Sequence, residues 1–77
     1  MIEELESVVI TRDFPEYGLN REDIGVVVHS YKNGVAFEVE FGTGKGETVG
    51  VITLAARDVR STHSNEILLH AREINAA

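Results

Sequence analysis

Apolar and polar positions alternate along most of this chain with a period of two, the spacing that puts successive side chains on opposite faces of a β-strand. "LESVVIT", residues 5–11, is β-branched and bounded by polar residues, and it predicts a first strand. "IGVVVHSY", 24–31, predicts a second, with Gly25 marking a bulge or a close backbone approach. The third strand, 35–41, alternates most cleanly: Val35, Phe37, Val39 and Phe41 fall on a core face, and Ala36, Glu38 and Glu40 on the other. "ETVGVITL", 47–54, is the fourth strand and holds Gly50. "AARD", 55–58, has room for one helical turn before a last short strand, "VRS".

The connections carry their own signals. "KNG", 32–34, is a hairpin signature, because Asn-Gly readily adopts the positive φ angles of a tight turn. "GTGKG", 42–46, predicts a second hairpin loop. "RDFPEYGLNRED", 12–23, contains the one proline and predicts a long loop, with Pro15 biasing Phe14 toward extended backbone. Five short strands, a long first loop, two tight hairpins and one turn before the last strand is the element order of a small SH3-like barrel. Such barrels close their sheet edges, and glycines such as Gly25 and Gly50 turn their corners.

The tail breaks the period. In "SNEILLHAREINAA", 64–77, Ile67, Leu68, Ala71 and Ile74 follow helical spacing, and Ser64 is placed to cap the helix ahead of Glu66. So short a helix does not persist alone in water, and it must dock on its own barrel or on another chain, or fray. The expected organisation is an all-β barrel over 1–61 and a helical tail over 62–77.

Composition adds limits. The chain of 77 residues lies near the lower size for a self-supporting core, and the absence of cysteine removes disulfide and thiolate-metal staples. Thirteen acidic against seven basic residues give a net charge of −6. That balance repels phosphate backbones and favours a basic protein partner. "MIEELES" lacks the basic and apolar regions of a signal peptide, and no apolar run reaches a membrane span, so the expected location is the cytoplasm, without membrane contact.

Candidate chemistry thins out when weighed. Glu38 and Glu40 lie about 7 Å apart on one strand face, near the separation used by paired glycosidase carboxylates. A working acid needs an apolar pocket to raise its pKa, and nothing flanking them supplies one. They are expected to face water as the wet side of a half-buried strand. "GTGKGET" imitates a phosphate loop, yet Val39 stands where a Walker A glycine belongs and Gly46 replaces the Ser/Thr. His29, His63 and His70 have no zinc-ligand spacing, and no nucleophile sits in a recognisable elbow. The expectation is a protein that is not an enzyme and that has neither metal nor cofactor.

Two binding readings compete for nucleic acid and peptide. "EDIGVVVHSYKNGVAFEVEF" is similar to the KOW segments of ribosome-associated barrels, which use basic loops on RNA. Here Arg12 and Arg21 face Asp13, Glu16, Glu22 and Asp23, which disfavours RNA. Phe14, Tyr17 and Tyr31 resemble an aromatic grip for polyproline peptides, without the accompanying ligand motif.

Residues 5–60 resemble a bacterial family catalogued as domain of unknown function number 4926. The resemblance rests on Leu5, Val8 and Val9; on Asp13, Pro15, Glu16, Gly18 and Leu19; on Asp23, Gly25, Val27 and Val28; on Glu38 to Phe41; and on Gly46, Thr48, Thr53 and Leu54. It covers about three-quarters of the chain and is specific only in combination. The resemblance implies a small SH3-like barrel without assigned catalytic residues. Its members' association with toxin- or nuclease-like proteins implies an antitoxin or immunity role. The leading expectation is therefore an acidic module that neutralises a basic, nuclease-like protein. Its binding residues would be Asp13, Glu16, Glu22 and Asp23 in the long loop, Glu38, Glu40 and Glu47 by the sheet, and Ile67, Leu68 and Ile74 as an apolar anchor that also offers a homo-oligomer contact. The alternatives are an RNA- or ribosome-associated barrel and an accessory subunit of a larger enzyme.

Overall fold

A computed structural model describes residues 2–32, 34–63 and 66. It contains five antiparallel strands: β1 (Ser7–Ile10), β2 (Ile24–Tyr31), β3 (Ala36–Gly42), β4 (Thr48–Ala55) and β5 (Val59–Ser61). They form one sheet in the order β4-β3-β2-β1-β5. Short 3-10 turns occupy Pro15–Tyr17 and Ala56–Asp58. The expected all-β architecture and its strand sequence are present, and no strand pairing closes β4 onto β5 among the described residues. The sheet is open, which corrects the expectation of closed edges. The helix expected over 62–77, with its cap at Ser64, falls almost wholly outside the described residues.

β2 joins the two halves of the sheet. Its first residues pair with β1, Val8 lying opposite Gly25, and Val26 to Tyr31 pair with β3. The irregularity in β2 falls between Val27 and His29 rather than at Gly25. Gly25 meets the other expectation, a close approach of the adjacent strand. A Cβ there would stand 2.6 Å from Val39 Cγ1 and 2.9 Å from Phe41 Cε1, with the Glu40 carbonyl oxygen at 3.0 Å. Gly50 meets no such crowding, since its nearest neighbour is Ile52 Cγ1 at 4.0 Å.

The inward faces form one core. Val8, Ile10, Val27 and Val39 are fully enclosed, and Phe37, Phe41, Ile52, Leu54 and Val59 pack around them. The long loop adds to it. Phe14 and Leu19 exchange two backbone hydrogen bonds, at 2.9 and 3.1 Å, and both side chains enter the core. Gly18, at φ 71°, reverses the chain between them. The segment expected as a long loop thus contains a small hairpin pinned by two apolar anchors.

Two end positions depart from the strand pattern. Leu5 turns at φ 70° and is 79% exposed, so β1 starts only at Ser7. Val35, expected on the core face, is 64% exposed. It belongs to the turn, where its N–H donates to the Tyr31 carbonyl and its own carbonyl accepts from Ala56. Periodicity carried past the end of a strand misplaces such residues.

Candidate recognition face

Antiparallel register decides which side chains meet on the outward face of β2, β3 and β4. Directly paired residues share a face. One row therefore reads Val26, Glu40, Val51, the next His29, Glu38, Thr53, and a third Tyr31, Ala36, Ala55. Val26, Val28, Tyr31 and Val51 are all exposed large apolar side chains. Two carboxylates sit among them.

Those carboxylates lie on the outward face as expected, and they are half-buried and hydrogen-bonded to neighbouring hydroxyls. Glu38 accepts from the Tyr31 hydroxyl at 2.6 Å and from the Thr53 hydroxyl at 2.7 Å. The Tyr31 hydrogen bond first, then that of Thr53 and the nearby His29, holds the Glu38 carboxyl below its ordinary range. The same bond pushes the Tyr31 phenol up. Glu40 accepts from the Thr48 hydroxyl at 2.9 Å. The His29 ring stacks edge-on to Tyr31, with centroids 4.5 Å apart, and its Nδ1 lies 3.5 Å from Glu4. Glu38 is thus an oriented anion with spare acceptor capacity, framed by an aromatic ring and exposed valines. That arrangement suits an ammonium or guanidinium group. It does not suit acid catalysis, which needs a carboxyl raised rather than lowered.

The other sequence candidates are dispersed. Asp13 accepts from the Arg21 N–H at 2.7 Å and Asp23 from the Asn20 N–H at 2.8 Å, so both order the long loop. Glu16 lies exposed in the 3-10 turn, and Glu22 sits exposed at φ 77°. Glu47 closes the second hairpin, where the Thr43 N–H donates to its carbonyl at 2.8 Å. The aromatic grip does not assemble: Phe14 is buried under the Arg12 guanidinium at 3.9 Å, and the ring partner of Tyr31 is His29. Ile67, Leu68 and Ile74, with Ala71 and His70, lie outside the described residues.

Sequence reasoning missed Tyr31, Thr48 and Thr53 as partners of the glutamates. The signal was present: a tight turn after Tyr31 fixes the β2–β3 register, and register places hydroxyls beside carboxylates. Among the described residues no three His, Cys, Asp or Glu side chains are grouped to hold a metal ion, and no helix is long and apolar enough to cross a membrane.

A second ionic cluster lies at β5. Arg60 donates twice to Glu66, at 2.9 and 2.6 Å, and the His63 N–H also donates to that carboxylate. The Arg60 hydrogen bond leads in lowering the Glu66 carboxyl to about 2, and it raises Arg60. A carboxyl depressed in the folded state contributes stability above its ordinary value of 4.5 and loses it as pH falls toward about 2. Urea titrations in that window are expected to show a smaller acid loss for Glu66→Gln than for the native chain. Equal losses would remove Glu66 from the account.

A family model described as a domain of unknown function, DUF4926, matches residues 4–61. No curated protein and no solved structure matches the chain.

Proposed function

We propose, from the premise that this chain belongs to the DUF4926 family, that it is a non-enzymatic, acidic protein-binding module on an open, SH3-like five-stranded scaffold. Its role is that of an antitoxin or immunity-type protein that neutralises a basic, nuclease-like partner in the cytoplasm. The strand order, the pinned first loop and the single 3-10 turn before β5 support the scaffold reading. One observation carries the binding reading: an anionic Glu38, fixed by Tyr31 and Thr53, stands among exposed Val26, Val28 and Val51.

The physical logic is steering plus anchoring. A nuclease carries a basic cleft, and a net charge of −6 on so small a chain accelerates its approach. The valines then supply apolar area, while Glu38 and Glu40 receive a Lys or Arg without first being ordered. Affinity capture from the native cells, followed by mass spectrometry, identifies the partner. With that partner in hand, Glu38→Lys with Glu40→Lys is expected to slow association by about tenfold or more at low salt. Far-UV circular dichroism is expected to stay unchanged. Native association kinetics in the doubly reversed protein would refute the assigned face. Recovery of ribosomal proteins with RNA would overturn the module's proposed partner class.

A further inference from the structure

Glu38 has both carboxylate oxygens fixed, whereas Glu40 is held by one hydroxyl, that of Thr48. The Thr53 hydroxyl donates to Oε1 of Glu38 and the Tyr31 hydroxyl to Oε2. Thr53 stands on β4 and Tyr31 on β2, so the two donors flank the carboxylate from either side of β3. A carboxylate has about four acceptor positions, and these two hydroxyls leave one on each oxygen. Among the described residues no Lys or Arg forms an ion pair with Glu38, and His29, directly opposite it, turns Nδ1 to Glu4 at 3.5 Å. The surroundings are apolar and aromatic. The bulge in β2 leaves Val28 unpaired between Val27 and His29, and Val28 is exposed together with Val26, Tyr31 and Val51. Bulges are common beside sites, where they re-aim a side chain.

Resting on the reading of this face as the protein-binding one, we infer that Glu38 receives one arginine side chain of the partner, flanked there by apolar residues, and selects it over lysine. Charge complementarity requires a cation, and geometry chooses which. A guanidinium presents two parallel N–H donors in one plane, matched to two oxygens that each keep an acceptor position. An ammonium is a point charge and gains little from the second fixed oxygen. The exposed Tyr31 ring and the valines then cover the arginine stem and its planar head, which is more weakly hydrated than an ammonium and loses less on leaving water. Tyr31 and Thr53 hold the carboxylate before the partner arrives, so the pair forms without the cost of ordering Glu38.

Nitrogen-15 chemical-shift titration of the full chain with two blocked tripeptides, acetyl-Leu-Arg-Leu-amide and acetyl-Leu-Lys-Leu-amide, tests this. At low salt the arginine peptide is expected to shift amides around Glu38, Tyr31 and Thr53, with a Kd about five- to tenfold below that of the lysine peptide. Tyr31→Phe releases one oxygen and leaves the net charge unchanged. It is expected to reduce the arginine preference to about twofold or less, whereas a merely structural role for Tyr31 would weaken both peptides equally. Thr53→Val, which releases the other oxygen, is expected to act in the same direction. Glu38→Gln is expected to abolish the shifts at these positions. Equal affinity of the native chain for the two peptides would overturn the proposal, as would an arginine preference that survives both hydroxyl deletions. Shifts confined to residues 13–23, or none at peptide concentrations up to about 10 mM, would overturn it as well. None of these outcomes decides the antitoxin reading, which stands or falls on the partner captured from the cells and on its association with the doubly reversed protein.

Discussion

Gly25→Ala is expected to lower the melting temperature by roughly 4–16 °C, measured by thermal circular dichroism. Two effects oppose each other. Alanine restricts the unfolded chain and on that account stabilises by about 0.4–1 kcal/mol. Against this, the new methyl group stands inside the contact distance of Val39, Phe41 and the Glu40 carbonyl. A methyl forced into a packed core costs about 1–3 kcal/mol, and here one neighbour is backbone of the adjacent strand, which cannot rotate aside. The clash wins, for a net loss of about 1–2 kcal/mol. The cause can be isolated. Val39→Ala removes the Cγ1 atom at 2.6 Å, so the double variant Gly25→Ala/Val39→Ala should lose less than the two single losses combined. Strict additivity in urea titrations would show that the β2–β3 contact is not what Gly25 protects.

Ile10→Ala is expected to leave the protein largely unfolded near body temperature. Ile10 is fully enclosed, at the end of β1 where Val59 of β5 lies opposite. Its carbonyl and N–H also close the long loop, bonding Glu22 and Asp23. Truncation of a buried isoleucine costs about 2–5 kcal/mol, and a domain of this length holds only about 4–12 kcal/mol in all. With no disulfide to limit the unfolded chain, nothing offsets the loss. A cooperative denaturant transition displaced to much lower urea, with unchanged slope, is the expected reading. A native midpoint would mean that the site collapses around the cavity.

Local features of this chain are legible in its sequence, and long-range ones are not. Strand positions and hairpins were legible because they are local: β2 spans 24–31 as the alternation predicts, and the glycines at 34 and 46 take the positive φ their turns require. The single turn before β5 was legible for the same reason. Leu19 was not legible as core, since a run rich in turn residues gives no periodicity and only its bridge to Phe14 aims it inward. The Glu38 site was half-legible. Alternation placed Glu38 and Glu40 on the outward face, but the Tyr31 and Thr53 hydroxyls that orient Glu38 come from two other strands.

By itself, then, the sequence determined the all-β class, the strand order along the chain, the acidic balance and the family. Each follows from nearest neighbours or from sums over residues. Tertiary structure alone decided three things. It left the sheet open, with uncharged β4 at its edge, because closure depends on whether strands far apart in sequence meet. It made Gly25 indispensable and Gly50 spacious, because crowding is a property of the strand that packs beside a residue. It turned two solvent-side glutamates into an ordered anionic face, because hydrogen bonds form across the register, and register is set only when strands pair.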